Sequence, residues 1–274
     1  MREEKSMIGG SVWTRRGLAA MGIFGLVFLT VPLVIVIPMS FSSARALTFP
    51  PPSLSLRWYE TFFGDPRWME AMWTSTFVAA ISSVAALILG GLAAYGLRRG
   101  SFKGRDWAEG NFMAPLIVPT IIVAIALYLA LAKVGLLGSL LGLVVAHTLL
   151  NVPLVMMVLG VAIREFDQRI EQVAWSLGAS WGYTMRKVVL PNLAPSVFAA
   201  WIFAFIGSFD EVIVTSFIAG KYETVPKKMF NELILEVNPT ITAVATLLIA
   251  FTVLALAAVA FVLGRAGKLK ETVV

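Results

Sequence analysis

The chain has 274 residues, of which 58% are hydrophobic and 14% charged, with a formal net charge of +6 and a mean hydropathy of +0.85. A soluble domain carries about 25% charged residues, so this chain could not cover its surface with polar groups in water. Having no cysteine and one histidine, His147, it excludes disulfides, thiolate metal sites and histidine-rich metal clusters, and its basic residues suit membrane flanks and anionic headgroups rather than nucleic acid.

A helix crosses the roughly 30 Å hydrocarbon layer with about 20 apolar residues. Six segments meet that requirement, at about 18–39, 71–97, 111–132, 136–163, 195–219 and 241–263. The chain therefore reads as all-α, one polytopic transmembrane domain over 1–274. Pro115, Pro119 and Pro153 lie in or near the third and fourth segments. Packed membrane helices tolerate such prolines, so the prediction there is kinks rather than breaks. At the N-terminus, Ala44-Arg45-Ala46 imitates a signal-peptidase site. The apolar run before it is longer than the 7–15 or so residues of a signal-peptide core, which favours a retained span.

Basic residues set the orientation. One side of the predicted spans holds fifteen of the 22 Lys and Arg, around Arg15-Arg16, Arg98-Arg99, Arg164, Arg186-Lys187 and Arg265. The other side holds Arg45, Arg57, Arg67, Lys133, Lys221, Lys227 and Lys228. The positive-inside bias predicts that both termini are cytoplasmic.

Three loops carry information. The first, about 40–70, is predicted to be external and has aromatic residues suited to the headgroup level in Leu56-Arg57-Trp58-Tyr59-Glu60-Thr61-Phe62-Phe63; a short interfacial helix and a plain anchoring loop both fit. The last, about 220–240, is also external. Its Met229, Phe230, Leu233, Ile234 and Val237 fall at helical spacing, which predicts a surface helix packed either on its own bundle or on a partner.

The cytoplasmic loop, about 164–191, is the most specific stretch. Ile170, Val173, Ala174 and Leu177 make one apolar stripe, Asp167 is placed to cap its start, Glu171 favours the first turn, and Gly178 is placed to end it. Ser180 can cap a second segment, about 181–189, ahead of Leu190-Pro191. So short a helix does not persist alone in water and must pack on its own bundle or a partner.

These residues resemble the cytoplasmic signature of ABC importer permeases, Glu-Ala-Ala, three residues, Gly, nine residues, Ile-x-Leu-Pro. Here it reads Gln172-Val173-Ala174, Gly178 and Val188-Val189-Leu190-Pro191, with both spacings kept. Glutamine stands at the family's glutamate position, with Glu171 adjacent. Leu54-Ser55-Leu56-Arg57-Trp58-Tyr59 and Ser208-Phe209-Asp210-Glu211-Val212-Ile213-Val214-Thr215, then Gly220 and Thr224-Val225-Pro226, are similar to spermidine/putrescine-type permeases. The resemblance implies a type I importer permease in a bacterial inner membrane. It also implies two ATPase subunits, a second permease that is a homologue of this one, an external solute-binding protein, and a small cationic solute such as a polyamine. Relatives also carry opines, iron or thiamine. Glu171, Gln172, Ala174, Gly178, Leu190 and Pro191 would couple to the ATPase.

No G-x-x-x-x-G-K-[ST] loop occurs, so ATP and Mg²⁺ are expected on the separate ATPase and no cofactor on this chain. Asp210 and Glu211 are the acidic residues well inside a predicted span, where a carboxylate costs roughly 2.5–3.5 kcal/mol. They line or gate the pathway, pair with a basic residue of a partner, or mark a helix end. His147, beside Thr148 and Asn151, reads as a hydrogen-bonded packing residue. An ion-coupled secondary transporter or channel is the other class that Asp210-Glu211 would serve, but it leaves the 164–191 loop unexplained.

Overall fold

The computed structural model describes residues 12–235 and 238–273, with side chains over 14–235 and 238–265. Every regular element among them is helical, apart from one isolated antiparallel bridge between Ser42 and Leu54. The chain divides into two compact units, Met1–Gly64 with Val237–Ile249, and Asp65–Glu236 with Ala250–Val274.

In the first unit, α1 (Val12–Ser40) exposes Leu18, Phe24, Phe28 and Leu29, as a lipid-facing helix does. The Ser40 hydroxyl lies 2.7 Å from the Tyr59 hydroxyl, and the Phe41 and Tyr59 rings meet at 5.2 Å. Tyr59 belongs to α2 (Arg57–Gly64), so the aromatic stretch of the first loop is a short helix; its Trp58 and Phe62 are buried.

The second unit is built on α3 (Pro66–Arg99), α6 (Leu140–Glu165) and α9 (Leu190–Phe209), which pack on one another. Lipid supplies no hydrophobic drive between such helices, so close approach through small residues does. A Cβ on Gly90 of α3 would stand 2.9 Å from the Val152 carbonyl oxygen and from Val155 Cβ of α6. Ala86 and Ala94 of α3 and Ala200 and Ala204 of α9 are buried in the same core. A second core joins Val78 of α3, Leu143 of α6, and Leu127 of α5 (Thr120–Lys133) to Val214 and Ile218 of α10 (Ile213–Ile218).

Two predicted spans differ from the structure. The third is broken: α4 (Arg105–Ile117) and α5 meet at 105°. Val118 and Pro119 are both extended, at ψ 135° and 130°. Pro119 offers no N–H and forces its predecessor out of helical geometry, whereas Pro115 is absorbed within α4. Among the described residues five helices are long and apolar enough to span, or six when this bent pair counts as one.

The fifth span is shifted. Its helix starts at Trp181, runs through α8 (Trp181–Thr184), a π-helical turn at Met185–Val189 and α9, and ends at Phe209. Pro191 would clash with the Lys187 carbonyl in a regular α-helix; the wider turn, in which the Leu190 N–H donates to the Met185 carbonyl, accommodates it. Asp210 and Glu211 therefore sit between two helices, at the end of α9, and not within one continuous helix. The last helix, α12, runs over Thr240–Val273.

Candidate functional site

The loop between α6 and α9 adopts its predicted caps. Asp167 accepts from the Arg169 N–H at 2.9 Å and starts α7 (Gln168–Ser176). Gly178, at φ +85°, reverses the chain, with the Ala179 N–H donating to the Ala174 carbonyl at 3.0 Å. The Ser180 hydroxyl accepts from the Tyr183 N–H at 3.3 Å and opens α8.

The apolar stripe does not pack on this chain's own bundle. Ile170, Val173 and Leu177 are 46%, 57% and 82% exposed, and Trp175, Trp181 and Tyr183 stand exposed with them. Trp181, Tyr183, Arg186, Lys187 and Leu190 border an open hollow of about 620 Å³. Gln172, Gly178, Leu190 and Pro191 are exposed and Ala174 is half-buried.

Glu171, which the sequence places in the first turn of this helix, is fully buried. Its Oε1 accepts from Arg99 Nε at 2.9 Å and lies 2.8 Å from Arg99 Nη2; its Oε2 accepts from the Tyr95 hydroxyl at 2.5 Å. Arg99 Nη2 also donates to the Phe166 carbonyl at 2.9 Å. The Tyr95 ring meets Trp181 edge-on at 6.3 Å. The last turns of α3 thus grip the end of α6, the first turn of α7 and the start of α8. Sequence reading could not find this clamp, because Tyr95 and Arg99 lie 76 and 72 residues from Glu171.

A second constellation surrounds the end of α9. Asp210 is exposed and closes α9, its N–H donating to the Ile206 carbonyl. Glu211 is half-buried, and its Oε1 accepts from the Val214 N–H at 2.7 Å, capping α10. Beneath lies a buried chain of Ser82, Ser208, His147 and Thr215, drawn from α3, α9, α6 and α10. Ser82 and Ser208 hydroxyls are 2.8 Å apart, Ser208 is 2.8 Å from His147 Nδ1, and Thr215 is 3.0 Å from His147 Nε2. The Thr215 hydroxyl donates to the Glu211 carbonyl at 2.9 Å, so it accepts from Nε2–H. Nδ1 then accepts from Ser208, which fixes one tautomer and one direction for the chain. Gly207 belongs here because a Cβ would come 2.7 Å from Asn151 Oδ1.

The opposite end of α3 meets α11 (Val225–Leu235) in an arrangement that the hydrophobic pattern did not suggest. Lys228 is buried, 5.0 Å above the Trp68 ring and 3.2 Å from Glu232. The Ser75 hydroxyl accepts from the Val225 N–H at 2.8 Å. Burial lowers the Lys227 ammonium below its ordinary range while it donates to the Gly220 and Tyr222 carbonyls. Phe230, Leu233 and Ile234 are exposed, Met229 is half-buried, and Val237 lies outside the described residues. Among the described residues no group of three His, Asp or Glu comes together to hold a metal.

The family model for the binding-protein-dependent transport system inner membrane component matches residues 86–266. The spermidine/putrescine transport system permease protein PotC of Haemophilus influenzae is 32% identical over 224 residues, 81% of this chain and 86% of that protein. The putrescine transport system permease protein PotI of Escherichia coli is 32% identical over 235 residues, 83% of each. Among solved structures, a chain of a bacterial ABC transporter involved in importing the acidic polysaccharide alginate is 18% identical, with a TM-score of 0.66 over 93% of this chain and 96% of that one. A chain of the MetNI methionine transporter is 17% identical, with a TM-score of 0.59 over 72% and 95%. The type I importer permease fold and these similarities along most of the sequence agree: the chain belongs to the family of binding-protein-dependent transport system inner membrane components, which are multi-pass membrane subunits of ABC importers and not enzymes.

Proposed function

We propose that the whole chain acts as one permease domain of an importer for small organic amines, with polyamines as the substrate class. The observation that carries this reading is similarity to spermidine/putrescine and putrescine permeases over more than four-fifths of the chain. It works beside a second, homologous permease, two ATPase subunits that bind the ATP and Mg²⁺, and an external binding protein that delivers the solute. Both termini and α7 face the cytoplasm, on the side holding the larger share of Lys and Arg. Family membership leaves the ion-coupled transporter reading without support.

The exposed face of α7 and α8 is the ATPase contact. Ile170, Val173, Leu177, Gln172 and Trp181 offer the apolar, uncharged surface that such a socket takes, and Gly178 sets its angle. Ala174, Leu190 and Pro191 shape the same loop. At the end of α9, the exposed Asp210 carboxylate attracts the cation, while Glu211 holds the turn that Asp210 rides on. Affinity capture of this chain from detergent, followed by uptake of radiolabelled spermidine and putrescine into vesicles holding the captured complex, tests the reading. Retention of an ATPase and ATP-dependent uptake are expected; uptake by a complex without an ATPase would defeat it.

A further inference from the structure

The helix α3 is one unbroken element of 34 residues, about 50 Å at 1.5 Å per residue. Specific polar contacts hold it close to both of its ends. Near its start, Trp68 and Ser75 hold α11 through the buried Lys228 and the Val225 N–H. At its finish, Tyr95 and Arg99 hold α7 through Glu171. Between these points it is packed on α6 and α9 so closely that Gly90 has no room for a methyl group.

The contacts of Glu171 are unusual for a residue on a short surface helix. Its carboxylate makes no contact with solvent, and three donor groups converge on it. On its outward side α7 exposes Ile170 and Val173, beside the polar Arg169 and Gln172. Docking and anchorage are therefore divided between opposite faces of one helix. An anchor limited to van der Waals contact would let so short a helix roll. A forked guanidinium on a buried carboxylate fixes distance and angle together.

We propose that Glu171 is the anchor through which α7 drives α3, with Arg99 and Tyr95 as positioning residues, and that α3 carries the movement to α11 at the other face. This rests on the reading of α7 as the ATPase-facing helix. Closure of the ATPase displaces α7, the clamp passes that displacement to the end of α3, and α11 shifts with the start of α3. By linkage, a binding protein acting at the α11 face biases the ATPase through the same rod.

The assembled transporter in lipid nanodiscs tests this, using the cognate binding protein as purified from cells as the probe. The readout is the ratio of ATP hydrolysis with saturating binding protein to hydrolysis without it, alongside the amount of ATPase retained. Arg99→Met should keep the ATPase bound and reduce the ratio about tenfold, within the usual span of allosteric coupling. Arg99→Lys, which keeps the charge but not the fork, should fall between. Tyr95→Phe removes a single hydroxyl and should reduce the ratio about threefold, the weight of one hydrogen bond; it decides the matter if Arg99→Met does not accumulate in the membrane. An unchanged ratio in Tyr95→Phe overturns the proposal. So does loss of the ATPase from that variant, because the clamp would then only shape a docking surface. A wild-type complex that retains no ATPase would instead bring down the functional reading on which this rests.

Discussion

Arg99, in the last turn of α3, places its guanidinium 2.8 Å from the carboxylate of Glu171, a residue of α7 with no exposed surface. A buried pair of this kind is weak evidence of net stability, because desolvation offsets much of the attraction. Breaking it from one side is a different matter. Arg99→Met leaves a carboxylate buried with one remaining side-chain donor, Tyr95, and should destabilise the protein by about 3–5 kcal/mol. The double variant Arg99→Met with Glu171→Met should cost less than Arg99→Met alone. Thermal melting in detergent, compared across the two single variants and the double, checks this; additive losses would show that the pair does not act as a unit.

The exposed stripe of α7 makes the opposite prediction. Leu177→Asp replaces a side chain that is 82% exposed on this chain, so melting of the isolated protein should move by no more than about 0.5 kcal/mol, the usual range for a surface change. If the stripe docks the ATPase, the same substitution should reduce ATPase capture at least tenfold, since a carboxylate would be desolvated in the contact. Thermal melting and ATPase pull-down of tagged Leu177→Asp, made on one preparation, read the two effects.

These two residues also mark what was legible in the sequence. Asp167, Gly178 and Ser180 act on atoms a few residues away, so their caps could be read directly, and all three are present. Glu171 was legible only as a residue of the first turn. Its true surroundings, Tyr95 and Arg99, depend on where α3 ends in space. The pair Pro115 and Pro119 shows the limit from another side: both interrupt one apolar run, yet the helix absorbs the first and breaks at the second. Hydrophobicity on both sides places Asp210 and Glu211 within one predicted span. The backbone stops being helical there because Glu211 caps a new helix, α10.

Adjacent glycines of α3 should respond differently to alanine. At Gly91 the nearest atom to a new Cβ is Leu159 Cδ1 at 3.3 Å, the far end of a side chain that can turn aside. Gly91→Ala should then be neutral or gain up to about 1 kcal/mol from helix propensity. At Gly90 the new Cβ meets the Val152 carbonyl oxygen and Val155 Cβ at 2.9 Å. Backbone cannot turn aside, so Gly90→Ala should cost about 1–3 kcal/mol by overpacking. Melting temperatures of the two variants in the same detergent give the comparison, and equal shifts would contradict the close α3–α6 approach.

The chain of hydroxyls through His147 supplies the final prediction. His147→Leu is similar in size but removes one hydrogen-bond partner from each of the Ser208 and Thr215 hydroxyls, which keep Ser82 and the Glu211 carbonyl, at about 0.5–1.5 kcal/mol for each bond lost. The loss should be local as well as global, because Thr215 and Ser208 flank the Asp210-Glu211 break and hold α9 and α10 to α6. His147→Gln can still present one donor and one acceptor to the same two hydroxyls and should recover part of the stability. Hydrogen exchange followed by mass spectrometry separates the two effects. In His147→Leu the amides of 206–219 should exchange faster, while those of α7, held at the far end of α3 by Glu171, keep their protection. Faster exchange spread evenly over both regions would mean that His147 supports the bundle as a whole and has no special hold on the α9–α10 break.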